Sequence, residues 1–192
     1  PEMKSMLYNP DFKDAVKDFN PADILGRHFA ANRSPDPTTR VQYVDIKTYM
    51  TEDILVKVDR MSMAHSLEVR SPILDHRLME YVGKLPSSFK LRGKESKYIF
   101  KMINEKRLPQ DILYRRKQGF RIPLSDWMRG DLRELAHETL FSSNDGIRDY
   151  FNVDFIRKLW EQHQSGTRDT ATPLWGLMMF GLWHKTYMHT PT

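Results

Sequence analysis

Apolar residues recur at three- and four-residue steps along most of this chain and alternate almost nowhere, a pattern that commits it to helices packed on helices. The extreme case lies between Ala171 and Tyr187, where Leu174, Trp175, Leu177, Met178, Phe180, Leu182 and Trp183 are apolar almost all round and predict a helix buried on more than one side. Helices are also predicted over about Ser125 to Phe141 and Val153 to Gln164. Upstream, Tyr49, Met50, Ile54, Val58, Met61 and Ala64 share one face of a helical stretch from Val44 to Leu67. Thr51 can cap a second helix there, whose first turn carries Glu52 and Asp53. Ser71-Pro72 ends that stretch, because the residue before a proline is driven out of the helical region. Asp75 then caps a helix through Leu78, Tyr81 and Val82 that stops before Pro86. A helix from about Ser96 to Lys106 is expected to turn Tyr98, Ile99, Met102 and Ile103 inward, with a short turn at Ile112 and Leu113 after Pro109. Met6 to Phe19 holds one short helix, and Asn32 to Thr39 and Gln118 to Pro123 read as loops. The expected fold class is therefore all-α, in one helical domain over residues 1–192, since no linker or internal repeat divides it.

Composition narrows the chemistry. No apolar run approaches the roughly 20 residues needed to cross a bilayer, and no secretory leader pattern opens the chain, so a cytoplasmic protein with no membrane partner is expected. There are 0 cysteines, which removes disulfides, thiolate metal sites and cysteine nucleophiles within these residues. No H-E-x-x-H, G-x-S-x-G or Walker A pattern occurs, and no metal site is expected in this chain. His65 and His184, on helices with apolar neighbours, read as hydrogen-bonded structural residues. The net charge of +5 invites nucleic acid, but the densest cluster, Arg115, Arg116, Lys117 and Arg121, is short and lacks interleaved stacking aromatics. Nucleic acid is therefore not expected as a partner, whereas a phosphate-bearing small molecule would be served by the same cations.

The run from Asp53 to Asp75 places Lys57, Asp59, Arg60, Glu68 and Arg70 among apolar residues, where charges must be paired or are costly. This run, with Asp75-His76-Arg77-Leu78, closely resembles the segment that follows the ATP-binding half of the synthetase domain in glutamine-dependent asparagine synthetases. The resemblance continues through Leu91-Arg92-Gly93-Lys94 with Lys97, Leu108-Pro109, Ile112-Leu113, Arg115-Arg116-Lys117-Gln118-Gly119-Phe120 and Pro123-Leu124, and covers about residues 40 to 130. Ser71 and Ile73 depart from the apolar and aromatic residues more common at their positions.

Several expectations follow from that resemblance. It implies the helical C-terminal subdomain of an α/β ATP-pyrophosphatase synthetase domain, with the nucleotide-binding sheet absent from this chain. It implies a parent enzyme that adenylates the aspartate side chain with ATP and Mg2+ and lets ammonia from glutamine displace AMP. Neither the Ser-Gly-Gly-x-Asp-Ser phosphate loop nor the Ser-Gly-Glu-Gly-x-Asp-Glu segment of the family occurs here, so the chain alone is expected to be inactive and to bind no cofactor by itself. Its partners would be the missing N-terminal glutaminase and ATP-binding portions, or a second copy covering the same open apolar patch. Lys117 would be the catalytic lysine on a closing loop, and Lys97 a second cation facing phosphate. Asp53, Glu68 and Arg70 would contact substrate or phosphate. For Glu68 and Arg70 the rival reading is a buried or half-buried ion-pair network with Asp59 and Arg60 that fixes the wall of the site. Related enzymes that make other amides or lactams, and a non-catalytic helical binding module, are the alternative functions.

Overall fold

The computed structural model describes residues 2–116, 119, 122–141 and 146–188. In chain order its α-helices are α1 (Glu2–Leu7), α2 (Pro10–Ala15), α3 (Ala22–Ala31), α4 (Pro37–Asp45), α5 (Val56–Met63), α6 (His76–Lys84), α7 (Tyr98–Asn104), α8 (Gln110–Leu113), α9 (Leu124–Arg129), α10 (Arg133–Phe141), α11 (Ile147–Tyr150), α12 (Val153–Gln164) and α13 (Ala171–Tyr187). A π-helix, Ile46–Leu55, joins α4 to α5 without a break, and two short antiparallel strands, β1 (Leu91–Arg92) and β2 (Glu95–Ser96), pair Leu91 with Ser96 and Arg92 with Glu95. The chain is thus mostly helical, as the periodicity requires. It divides into two compact units: residues 1–19 with 119–192, and residues 20–118.

The first unit is built around α13. Leu174, Leu177 and Met178 of that helix are buried with Met128 of α9, Ala136 and Leu140 of α10, Ile147 of α11, and Ile156, Leu159 and Trp160 of α12. Burying each such aliphatic side chain contributes roughly 1.5–3 kcal/mol. Gly181 sets how closely α10 can approach: a Cβ there would lie 2.7 Å from Thr139 Cγ2. Gly146, at φ +68°, is required twice over, because its backbone is left-handed and a Cβ would meet the buried His184 ring at 2.4 Å. The opening residues belong to this unit. Asn9 caps α2 by accepting from Phe12 N–H at 2.8 Å, its amide donates to Asp149 O at 2.9 Å, and Asn152 N–H donates to Leu7 O at 2.8 Å. Tyr8, Phe12, Tyr150, Phe151 and Phe180 close over that seam edge to face.

A polar latch ties α9 to the α12–α13 turn. His163 is wholly buried; its Nε2–H donates to Ser125 O at 3.2 Å, which leaves Nδ1 to accept from Thr170 N–H at 3.4 Å. Arg129 Nε–H donates to His163 O at 2.9 Å, and the Thr170 hydroxyl donates to Leu159 O at 2.7 Å. Each polar group that the packing buries here has found a partner, as burial demands.

The second unit has no fully buried residue among those described. Its longest feature is the continuous helical rod of α4, the π-helix and α5, from Pro37 to Met63. Asp36 starts it by accepting from Thr38 N–H, Thr39 N–H at 3.1 Å and the Thr39 hydroxyl at 2.6 Å. These bonds, led by the Thr39 hydroxyl, hold the Asp36 carboxyl below its ordinary value. A Schellman closure ends it: Leu67 N–H donates to Ser62 O and Ser66 N–H to Met63 O, with Ser66 at φ 58° where glycine is usual.

Several expectations need correction. Residues 37–39 begin α4, because Pro37 suits a first helical position and Asp36 is a strong cap. Thr51 caps nothing; its hydroxyl donates to Thr48 O at 3.4 Å inside the π-helix. The helix expected to start at Ser125 is broken at Gly130 into α9 and α10, and α3 and α11 were not expected. Met102 and Ile103 do not face a core: they are 45% and 56% exposed.

Candidate functional site

Every expected site residue except Lys117 lies among the described residues of the second unit; Lys117, with Gln118 and Phe120, falls outside them. Asp53 sits in the π-helix, Asp59 and Arg60 about two turns on in α5, and all three are exposed. Glu68 and Arg70 follow the Schellman turn outside any helix or strand and pair with each other, Arg70 Nε–H donating to Glu68 Oε1 at 2.7 Å. That pair is solvent-facing, with side chains 66% and 86% exposed. The buried network of Glu68 and Arg70 with Asp59 and Arg60 is therefore not formed: among the described residues no ion pair reaches Asp59 or Arg60, and all four side chains are exposed.

Two other acids are organised. Asp75 caps α6 by accepting from Arg77 N–H at 2.9 Å, and the Arg77 guanidinium returns to the same carboxylate at 2.9 Å. Arg77, through its side-chain hydrogen bond above all, holds the Asp75 carboxyl below its ordinary value, and the guanidinium is shifted up in turn. His65, read as structural, places Nδ1 3.1 Å from Met61 O at the end of the same rod.

The densest constellation surrounds Lys97. This residue joins β2 to α7 in a left-handed conformation, φ 57° and ψ 32°, which a lysine adopts only at a cost of about 1 kcal/mol or more. Its neighbours are tied on both sides. Glu95 is ion-paired with Lys101, one turn into α7, and Arg92 donates to the Tyr98 hydroxyl while stacking its guanidinium 5.0 Å from the centre of that ring. Tyr98 N–H donates to Lys90 O at 3.1 Å, and Lys97 O accepts from Lys101 N–H at 2.9 Å. Beyond α8, the Tyr114 hydroxyl donates to Glu105 at 2.5 Å, which pushes the phenol up to about 12. The Lys101 ammonium lies 5.2 Å from the Tyr114 ring centre. Every acid in this cluster is already engaged by another group, so the exposed Lys97 ammonium is left to face solvent or ligand. Sequence reasoning identified Lys97 but none of this framework; the charge spacing Arg92, Glu95, Lys101, Glu105 was its available signal.

Metal binding has a direct geometric test. No group of three or more His, Asp or Glu among the described residues is arranged to hold an ion. Among the described residues, no helix is long and apolar enough to cross a membrane.

Comparison with known proteins agrees with the resemblance in the signature run and extends it. The asparagine synthase family matches residues 3–185. Glutamine-hydrolysing asparagine synthetase 1 of Bacillus subtilis is 31% identical over 177 residues, covering 90% of this chain and 28% of that protein. A putative asparagine synthetase of Mycobacterium bovis is 33% identical over 172 residues, 89% of this chain and 26% of that protein. An amidase of Gibberella zeae is 30% identical over 115 residues, 56% of this chain and 17% of that protein. The chain thus spans little more than a quarter of the length of the synthetases it resembles. No solved structure matches it. With the family match running through both units, this chain belongs to the asparagine synthase family.

Proposed function

We propose that the chain is the helical C-terminal part of the ATP-pyrophosphatase-like synthetase domain of a glutamine-dependent asparagine synthetase, a cytoplasmic ligase. In the whole protein, ATP adenylates the aspartate side-chain carboxylate and releases pyrophosphate; ammonia released from glutamine then attacks the acyl-adenylate and displaces AMP. The observation that carries this reading is the match over about 90% of the chain to synthetases more than three times as long. The open apolar faces of the second unit are its physical counterpart: Met61 is 62% exposed and Tyr81 of α6 65%. Faces of that kind belong against a partner surface, here the nucleotide-binding sheet and glutaminase portions of the parent.

Within that enzyme Lys117 and Lys97 would supply positive charge to the phosphates of ATP and to the departing pyrophosphate, and Asp53, Glu68 and Arg70 would line the substrate side. Preorganised cations of this type act by stabilising charge that develops in the transition state. Asp59 and Arg60 would complete the wall once the rest of the parent covers them. ATP and Mg2+ would be held chiefly by the remainder of the parent.

The test is aspartate- and ATP-dependent pyrophosphate release by the full-length parent, alongside this chain by itself. The parent should turn over and the chain should not; turnover by the chain alone would refute the reading. A second reading, an amide-forming enzyme acting on another carboxylate, is favoured by the similarity to the Gibberella zeae amidase. Pyrophosphate release by the parent with a panel of carboxylates in place of aspartate separates the two.

A further inference from the structure

We infer that Glu95, Lys101, Arg92 and Tyr98 are positioning residues for Lys97: the two pairs clamp the β2–α7 junction so that the Lys97 ammonium is held, unneutralised, in the direction of the nucleotide phosphates. The inference rests on the proposed function and deepens it.

Backbone strain is the starting point. A left-handed lysine is retained only where its surroundings over-determine it, and glycine would occupy the position without that cost. The surroundings do over-determine it. The Glu95–Lys101 ion pair spans the junction from the residue two before Lys97 to the residue four after it, and the Arg92–Tyr98 contact spans it from the hairpin to the first residue of α7. The Tyr98 N–H to Lys90 O bond prevents the junction from unwinding into a regular helix start. The Lys101 side chain is only 18% exposed, so this pair is less screened than an ordinary surface pair.

Charge bookkeeping gives the second strand. Glu95 and Glu105 are the acids of this cluster, and each is occupied, by Lys101 and by the Tyr114 hydroxyl. Were Lys101 absent, Glu95, two residues away, would be free to capture Lys97. Lys101 therefore keeps Lys97 available in two ways, by fixing the backbone and by occupying the competing carboxylate.

The experiment is a double-mutant cycle in the full-length parent, read by the KM for ATP and the kcat of pyrophosphate release. Lys97→Ala should raise KM, lower kcat, or both, by at least tenfold. Glu95→Gln and Lys101→Met should each give part of that loss, several-fold, while Glu95→Gln adds nothing in the Lys97→Ala background. The exchanged pair, Glu95→Lys with Lys101→Glu, should recover most of the activity lost by either charge reversal alone. A thermal unfolding midpoint for each variant separates kinetic loss from loss of folded protein. Full additivity of Glu95→Gln with Lys97→Ala, or a lowered midpoint with unchanged kinetics, would overturn the positioning role alone. A silent Lys97→Ala would overturn both that role and the assignment of Lys97 to the phosphates.

Discussion

The two units use similar amounts of chain in opposite ways. The first closes a core on itself: α13 is surrounded by α9 to α12, and its internal polar groups at His163, Thr170 and Arg129 are satisfied within the unit. The second forms good local structure, with caps at Asp36 and Asp75, a Schellman turn and a clamped hairpin junction, yet buries no side chain fully among its described residues. Local hydrogen bonding sets the shape of helices, but only burial of apolar surface makes them stable as tertiary structure. The family signature lies in the unit that lacks that burial. Charges that the sequence suggested as a buried network are instead open to water.

Core truncation separates the units most sharply. Leu174→Ala, at a position with no exposed surface, should destabilise the chain by about 2–5 kcal/mol in chemical denaturation, because it leaves a cavity at the centre of α13. Leu78→Ala, on the open face of α6, should change stability by less than about 0.5 kcal/mol in the chain alone. Equal effects would break the comparison.

Gly181→Ala should cost about 1–3 kcal/mol despite alanine's better helix propensity, since the new methyl overlaps Thr139 Cγ2. Adding Thr139→Ser, which deletes that methyl, should return much of the loss; failure to do so would show that α10 is not set by this contact. In the second unit the sign reverses. Ser66→Gly relieves a left-handed residue and should stabilise the end of α5 by about 1 kcal/mol, seen as slower hydrogen exchange at Leu67 N–H.

Acid gives the smallest and most local effect. The carboxyls of Asp36 and Asp75 are held below the ordinary aspartate value, chiefly by the Thr39 hydroxyl and the Arg77 side chain respectively. Groups with depressed values contribute stability above the unfolded value, and that contribution is lost as pH falls through the folded value. Fraying of α4 and α6 at their first turns should therefore begin only below about pH 4, visible as shifts of the Thr39 and Arg77 amide resonances. Movement of these resonances between pH 7 and 5 would contradict the caps.

How much of this was legible followed the same division. Helices α12 and α13 were readable almost to the residue, because long apolar stripes that find a core inside the chain leave an unambiguous period. The rod was readable as helix from Val44 onward though not over its first turns, and its π character arises from the hydrogen-bond register, which side-chain periodicity does not report. Met102 and Ile103 misled because an inward-looking apolar pair says that a residue wants cover and not where the cover resides. Of the site, Lys97 and the Glu68–Arg70 pair were visible as residues. The clamp of Arg92, Glu95, Tyr98 and Lys101 was not, since its meaning depends on a left-handed backbone angle that no residue type announces when glycine is absent.

Hydrogen exchange measured peptide by peptide, on this chain alone and on the full-length parent, tests the central claim most directly. Residues 122–188 should be comparably protected in both, whereas residues 40–114 should exchange fast in the isolated chain and slow by orders of magnitude in the parent. Strong protection of residues 40–114 in the isolated chain would contradict the account, because it would mean that the second unit carries a sufficient core of its own.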